Sequence, residues 1–208
     1  MKRKILFSLM TIALVGALVG VGVHAYFSDI ETSTGNTFTA GTLDLEVDSE
    51  NPWTSTGVTA SNMEPGVAAT DVDLTCENVG TITGDLYMRI TSVTDSGNTI
   101  NEPECAAEGG TWTSPSGPCT GNTPVDDIST QITLNCEVDA SPVTGLDNVL
   151  LSAVPGTWTL IQDDIAGSGT ITLSIGGTLS SSAANEYQGD RSTFTIELYL
   201  AQDGQTPP

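Results

Sequence analysis

The sequence predicts an all-β fold, a jelly-roll-like antiparallel β-sandwich preceded by a cleaved signal-peptide helix. Three observations predict it. An apolar run opens the chain behind a basic cluster. Beyond it, apolar and polar residues alternate with period two in six separate stretches. Between those stretches lie clusters of Gly, Pro, Asn and Ser, the residues that break strands and build turns.

The opening segment comes first. Lys2, Arg3 and Lys4 form a basic head, and Ile5 to Val23 is apolar apart from Ser8, Thr11 and glycines. Val23-His24-Ala25 then offers small or modest side chains where a signal peptidase reads, so cleavage is expected between Ala25 and Tyr26. The apolar run is also about the ~20 residues that a bilayer requires. Gly16, Gly20 and Gly22 weaken it as a permanent anchor, and no basic cluster follows it to stop transfer. The organisation read from the chain is residues 1–25 as signal peptide, 26–36 as an N-terminal segment and 37–202 as the sandwich. Within the sandwich, residues 95–128 form an irregular loop insertion, and 203–208 are a flexible tail.

The strands follow in order. Leu43, Leu45 and Val47 share a face opposite Asp44, Glu46 and Asp48. Val72, Leu74 and Cys76 alternate with Asp71, Asp73 and Thr75. Leu86, Met88 and Ile90 form a third row, Ile132, Leu134, Cys136 and Val138 a fourth, and Ile171, Leu173 and Ile175 a fifth. Phe194, Ile196, Leu198 and Leu200 close the series. Residues 148–154 read as either a short helix or a further strand.

Charge narrows the function. After residue 25 the chain has two basic side chains, Arg89 and Arg191, against all 26 acidic residues of the sequence. Nothing there neutralises phosphates, so nucleic acid is not a partner, nor is a membrane once the signal is removed. His24 is the only histidine and both lysines precede it. Histidine acid–base chemistry, histidine–zinc ligation and lysine Schiff bases therefore have no residue to use. A Gly-x-Ser-x-Gly elbow and a base for a serine nucleophile are both missing from the sequence. Adjacent acids such as Asp126-Asp127 or Asp163-Asp164 could serve a carboxylate hydrolase, but in so acidic a chain they read as solvated turns. No cofactor is expected. Asp44, Glu46 and Asp48, with Asp71 and Asp73, are the candidates for calcium, diffuse counter-ion screening being the alternative.

Four cysteines in an exported chain suggest two disulfides. Three pairings are open. The preferred set is Cys105–Cys119, closing a Gly/Pro/Ser-rich loop, and Cys76–Cys136, both on inward strand phases.

One stretch carries a family resemblance. Ala25-Tyr26-Phe27-Ser28-Asp29-Ile30-Glu31-Thr32, running on to Asn36-Thr37-Phe38-Thr39-Ala40-Gly41-Thr42-Leu43-Asp44-Leu45, resembles the start of the TasA/camelysin family of secreted, fibre-forming matrix proteins. Asn62-Met63-Glu64-Pro65-Gly66, Glu77-Asn78-Val79-Gly80 and Glu186-Tyr187-Gln188-Gly189 are weaker echoes. The four cysteines and the lack of lysine after residue 25 depart from the family's better-known members. The resemblance implies a jelly-roll subunit, cut by a dedicated signal peptidase, that polymerises with copies of itself. The freed segment, beginning Tyr26, Phe27, Ser28, Asp29 and Ile30, would be the donor strand completing a neighbour's sheet. Some relatives carry a metallopeptidase label, yet this chain has no His-Glu-x-x-His. A filament subunit secreted to the matrix or cell surface is the expectation, and a monomeric surface or S-layer-associated binding module is the runner-up.

Overall fold

The computed structural model describes residues 2–21, 35, 37–54, 58–97, 100–115, 117–154 and 156–208. It divides into two compact units, 1–39 and 40–208. In the first, helix α1 runs Lys2–Val21 and its described side chains are exposed. Among the described residues no helix is long and apolar enough to cross a membrane, and the apolar run of the sequence continues past them to Val23. The expected cleavage point at Ala25 and Tyr26 lies outside the described residues. So do Phe27, Ser28, Asp29 and Ile30 of the expected donor strand.

The second unit is the β-sandwich. Its strands are β1 (Leu45–Val47), β2 (Val72–Asn78), β3 (Gly84–Ser96), β4 (Thr111–Trp112), β5 (Cys119–Thr120) and β6 (Ile132–Val138). They continue with β7 (Ser141–Pro142), β8 (Val149–Leu150), β9 (Thr159–Ile165), β10 (Gly169–Leu179) and β11 (Arg191–Gln202). One sheet has the order β1-β2-β10-β6-β7, with β8 also paired to β6, and the other has the order β11-β3-β9. Every pairing is antiparallel.

The alternating rows account for the core. Leu74, Cys76, Leu134, Cys136, Val138, Ile171, Leu173 and Ile175 from the first sheet meet Leu86, Met88, Ile90, Ile161 and Ile165 from the second in one buried cluster. Period-two patterning puts each row on a single face. Two such faces exclude water only by packing on each other, at roughly 25 cal/mol per Å² of apolar surface removed from water. Strand β9 carries no clean alternation, because Gln162, Asp163 and Asp164 interrupt it, and the sequence reading missed it. Residues 148–154 hold both alternatives, since β8 passes into a 3-10 turn at Leu151–Ala153.

The Glu77-Asn78-Val79-Gly80 turn has a physical reason. Asn78 is 1% exposed. Its Nδ2 donates to the Ile82 and Ile165 carbonyls at 2.8 and 3.1 Å, and its Oδ1 accepts from Gly80 N at 3.1 Å. Gly80 has to be glycine, because a Cβ there would overlap the Thr42 carbonyl and Leu43 Cα. This close pass lets residues 42–44 extend the β1–β2 pairing, through Thr81 N to Thr42 O at 2.8 Å and Val79 N to Asp44 O at 2.9 Å.

The insertion is better ordered than its composition suggests. It contains helix α2 (Glu102–Ala107), started by a capping box in which Asn101 accepts from Glu104 N and the Glu104 carboxylate accepts from Asn101 N. The Asn-x-x-Glu spacing was a readable signal for this start. Cys105 and Cys119 are bonded, tying α2 to β5. Loops of this length contribute about 3 kcal/mol in the chain-entropy model.

The expected Cys76–Cys136 disulfide is corrected: both cysteines are free and buried. Strand β10 lies between theirs, with Ile171 opposite Cys76 and Ile175 opposite Cys136. Two strand spacings of about 4.8 Å, plus the four-residue offset along β10, put their Cα atoms far beyond the ~7 Å that a disulfide can span. Both do point inward, as their alternation implies, but into different parts of the core.

Burial, and then the Asp48 charge, push the Cys76 thiol up to about 12. Burial, then Asp147 and Glu137, do the same for Cys136. The thiolate is the reactive form, so both thiols should resist iodoacetamide in the folded protein at pH 8. Both should be alkylated once the chain unfolds in guanidinium without reductant. Prompt native labelling, or a Cys76–Cys136 peptide on non-reducing mapping, would contradict this placement.

Candidate functional site

Strand β11 forms one edge of its sheet. It pairs with β3 over twelve residues, interrupted by a bulge near Phe194, and among the described residues its other side has no partner. Its inward row is also incompletely covered. Leu86, Met88 and Ile90 on β3 are at most 1% exposed, whereas Phe194, Ile196, Leu198 and Leu200 are only partly buried against the same core. On the outer face Arg89 stacks 4.3 Å from the Trp158 ring centroid and bonds Glu197 with Nε at 2.6 Å. The outer surface of this sheet thus uses one of the two arginines that follow residue 25.

At one end of the same sheet, four carboxylates meet. Asp85 on β3, Asp163 and Asp164 on β9, and Asp203 beyond β11 each bring an oxygen within 4.8 Å of the others. A bulge produces this convergence. Gly84 lies opposite Ile165 but Leu86 lies opposite Gln162, so Asp163 and Asp164 together face Asp85. Asp164 adopts φ 56°, a left-handed conformation that Asp tolerates better than most residues. Asp85, 3% exposed, accepts from Asp164 N at 3.2 Å and Gly204 N at 3.0 Å. Burial works against its charge, but these two donors and its hydrogen bond with Asp163 outweigh burial and hold its pKa below the usual value. Asp163 moves the other way, raised first by that shared hydrogen bond and then by burial and the neighbouring acids. The pair therefore differs in acidity, Asp85 being the stronger acid of the two.

A second acidic group lies where the insertion meets the sandwich. Burial first, then Asp126, Glu104, Glu108 and Asp95, push Asp190 up to about 6. Burial also raises Glu104.

The acids proposed from sequence do not converge. Asp44 accepts from Asn51 Nδ2 at 2.6 Å, Asp48 from Thr75 N at 2.8 Å, and Asp73 from Ser174 Oγ at 2.6 Å. Glu46 sits opposite Glu77 on β2, and Asp71 lies against Gly176 on β10. Asp44, Asp48 and Asp73 act singly, as turn and cross-strand acceptors. The group that does converge comes from strand ends about 80 and 40 residues apart, a distance no local pattern reveals. Its one sequence signal was the Asp163-Asp164 pair. Asp126 and Asp127 precede the 3-10 turn at Ile128–Thr130.

Asp85 is the keystone of this sheet end. Asp85→Ala strips the acceptor from two partly buried N–H groups and should lower unfolding free energy by about 2–6 kcal/mol in urea titration, at about 1–3 kcal/mol per unpaired group. Asp163→Asn, at an exposed position, should stay within about 0.5 kcal/mol. Equal effects of the two changes would contradict the assignment.

The family described as camelysin metallo-endopeptidase matches the sequence over residues 1–102. The match takes in α1 and β1 to β3 and ends at the start of α2. No curated protein matches the chain.

Proposed function

Because residues 1–102 match the camelysin family, we propose that this protein is exported and works outside the cell as a structural subunit. Copies polymerise when residues 26–36 of one chain add to the open β11 edge of another. The family supports the coarser part, a secreted or cell-surface protein related to the matrix. The finer part draws on one observation, the half-covered inward row of Phe194, Ile196, Leu198 and Leu200 on a twelve-residue strand whose outer edge has no partner among the described residues.

The physics fits a donated strand. A sheet edge offers a row of unpaired N–H and C=O groups, and an added strand satisfies them while its side chains fill the neighbouring groove. Tyr26, Phe27 and Ile30 supply aromatic and branched side chains for that groove. Before cleavage the signal holds Tyr26 at the membrane, so removal after Ala25 by a signal peptidase licenses assembly outside the cell. The partners in this reading are further copies of the chain. Nucleic acid, and the membrane after cleavage, are not among them.

The second reading takes the family's name at face value and makes this chain a metallo-endopeptidase. The donor chemistry favours the structural reading. Peptidase zinc is held by imidazole nitrogen, and no histidine follows His24. The converged set Asp85, Asp163, Asp164 and Asp203 is all carboxylate and brings no imidazole with it.

Two changes test assembly. A secreted form lacking residues 26–36 should stay monomeric by light scattering, and a synthetic peptide of that sequence should bind it. A photo-crosslinking residue at position 27 should join to residues 191–202 of a neighbouring copy. Filaments from the truncated form would refute the donor role, and crosslinks elsewhere would move the acceptor edge.

A further inference from the structure

Five carboxylates from four segments gather where the insertion joins the sandwich. They are Asp95 near the end of β3, Glu104 and Glu108 on and just after α2, Asp126 beyond the disulfide loop, and Asp190 ahead of β11. Glu104 and Glu108 are buried. Three of the five have protein donors. Asp95 accepts from Ser129 N at 3.3 Å and Ser129 Oγ at 2.5 Å. Glu104 accepts from Asn101 N at 3.2 Å. Glu108 accepts from Asn122 Nδ2 at 2.7 Å and Val125 N at 2.9 Å. Asp126 is exposed, and its carboxylate lies over Gly97, just past β3.

Asp190 stands apart. Both of its carboxylate oxygens are closed off from solvent and neither accepts a hydrogen bond, and the Ser192 hydroxyl is equally buried and unpartnered. Two unpaired acceptors and a hydroxyl are sealed into a ring of negative charge, an arrangement that is costly unless a positive group completes it. The chain has no such group to offer. After residue 25 there is no lysine and no histidine. Arg89 is engaged with Glu197 and Trp158, and Arg191 is exposed between Asp190 and Ser192, on the other face of the strand.

We propose that this junction is a calcium-binding site, with the ion held by Asp190 together with Asp126 and the Ser192 hydroxyl, while the buried Glu104 and Glu108 add to the field that attracts it. The donors are all oxygen, which selects a hard divalent cation, and calcium accepts irregular oxygen shells completed by water. The ion would tie the disulfide-bonded insertion to the first residues of β11. The site is independent of the assembly reading and uses none of the acids at the other end of the sheet.

The test uses the secreted protein freed of calcium by a chelator, with calcium then titrated at fixed ionic strength. Calorimetry should show about one ion taken up, and the melting temperature should rise by about 5 °C or more at saturation, with magnesium much less effective. Asp190→Asn should abolish uptake, and in chelator it should melt higher than the unaltered protein because a buried charge is gone. Asp163→Asn, in the other acidic group, should bind calcium normally. No uptake by the unaltered protein, or full uptake by Asp190→Asn, would overturn the proposal, as would loss confined to Asp163→Asn. Should Asp190→Asn fail to fold, Asp126→Asn serves instead. A tenfold or greater loss of affinity supports the site, and unchanged affinity refutes it.

Discussion

Closure of the apolar core is the constraint from which the rest follows. On β3 the row Leu86, Met88 and Ile90 is sealed because strands flank it on both sides. Among the described residues β11 pairs only with β3, and its corresponding row is partly buried. Apolar surface left half-covered beside unpaired backbone groups is a standing liability in water, since it templates pairing with any compatible strand. In the proposed assembly the missing strand is residues 26–36 of another copy.

The second constraint is charge. With two arginines after residue 25 and 26 acids, carboxylates find their partners in backbone N–H groups, hydroxyls and side-chain amides. Asp85 shows how this works, taking two backbone donors, while its hydrogen bond with Asp163 and the neighbouring acids raise the pKa of Asp163. Asp48, Asp73 and Asp95 are each quieted by one or two donors. Asp190 lacks any such donor, so the same logic leads outside the chain for its counter-charge.

Much of the sandwich was legible because strand burial has period two. Six of the inward rows read from the sequence lie on β1, β2, β3, β6, β10 and β11 with the faces assigned to them. Strand β9 escaped because acidic residues break its pattern, and they do so where a bulge builds the acidic sheet end. The cysteines show where phase stops being informative. Alternation correctly turned Cys76 and Cys136 inward, but partner choice depends on strand order, and β10 sits between them. Cys105–Cys119 was legible because it closes a local loop. Neither acidic convergence was readable, since each joins strand ends and loops distant in sequence, and the proposed donor segment at Tyr26–Ile30 rests on a resemblance.

The central claim is that the open β11 edge receives the N-terminal segment of another copy. Helical reconstruction from electron micrographs of filaments taken from the native cell surface tests it most directly. The account predicts a chain beginning at Tyr26 whose first residues lie antiparallel or parallel along residues 191–202 of the next subunit and cover Phe194, Ile196, Leu198 and Leu200. A filament in which that edge remains bare, or in which residues 26–36 pair with their own sandwich, would contradict it.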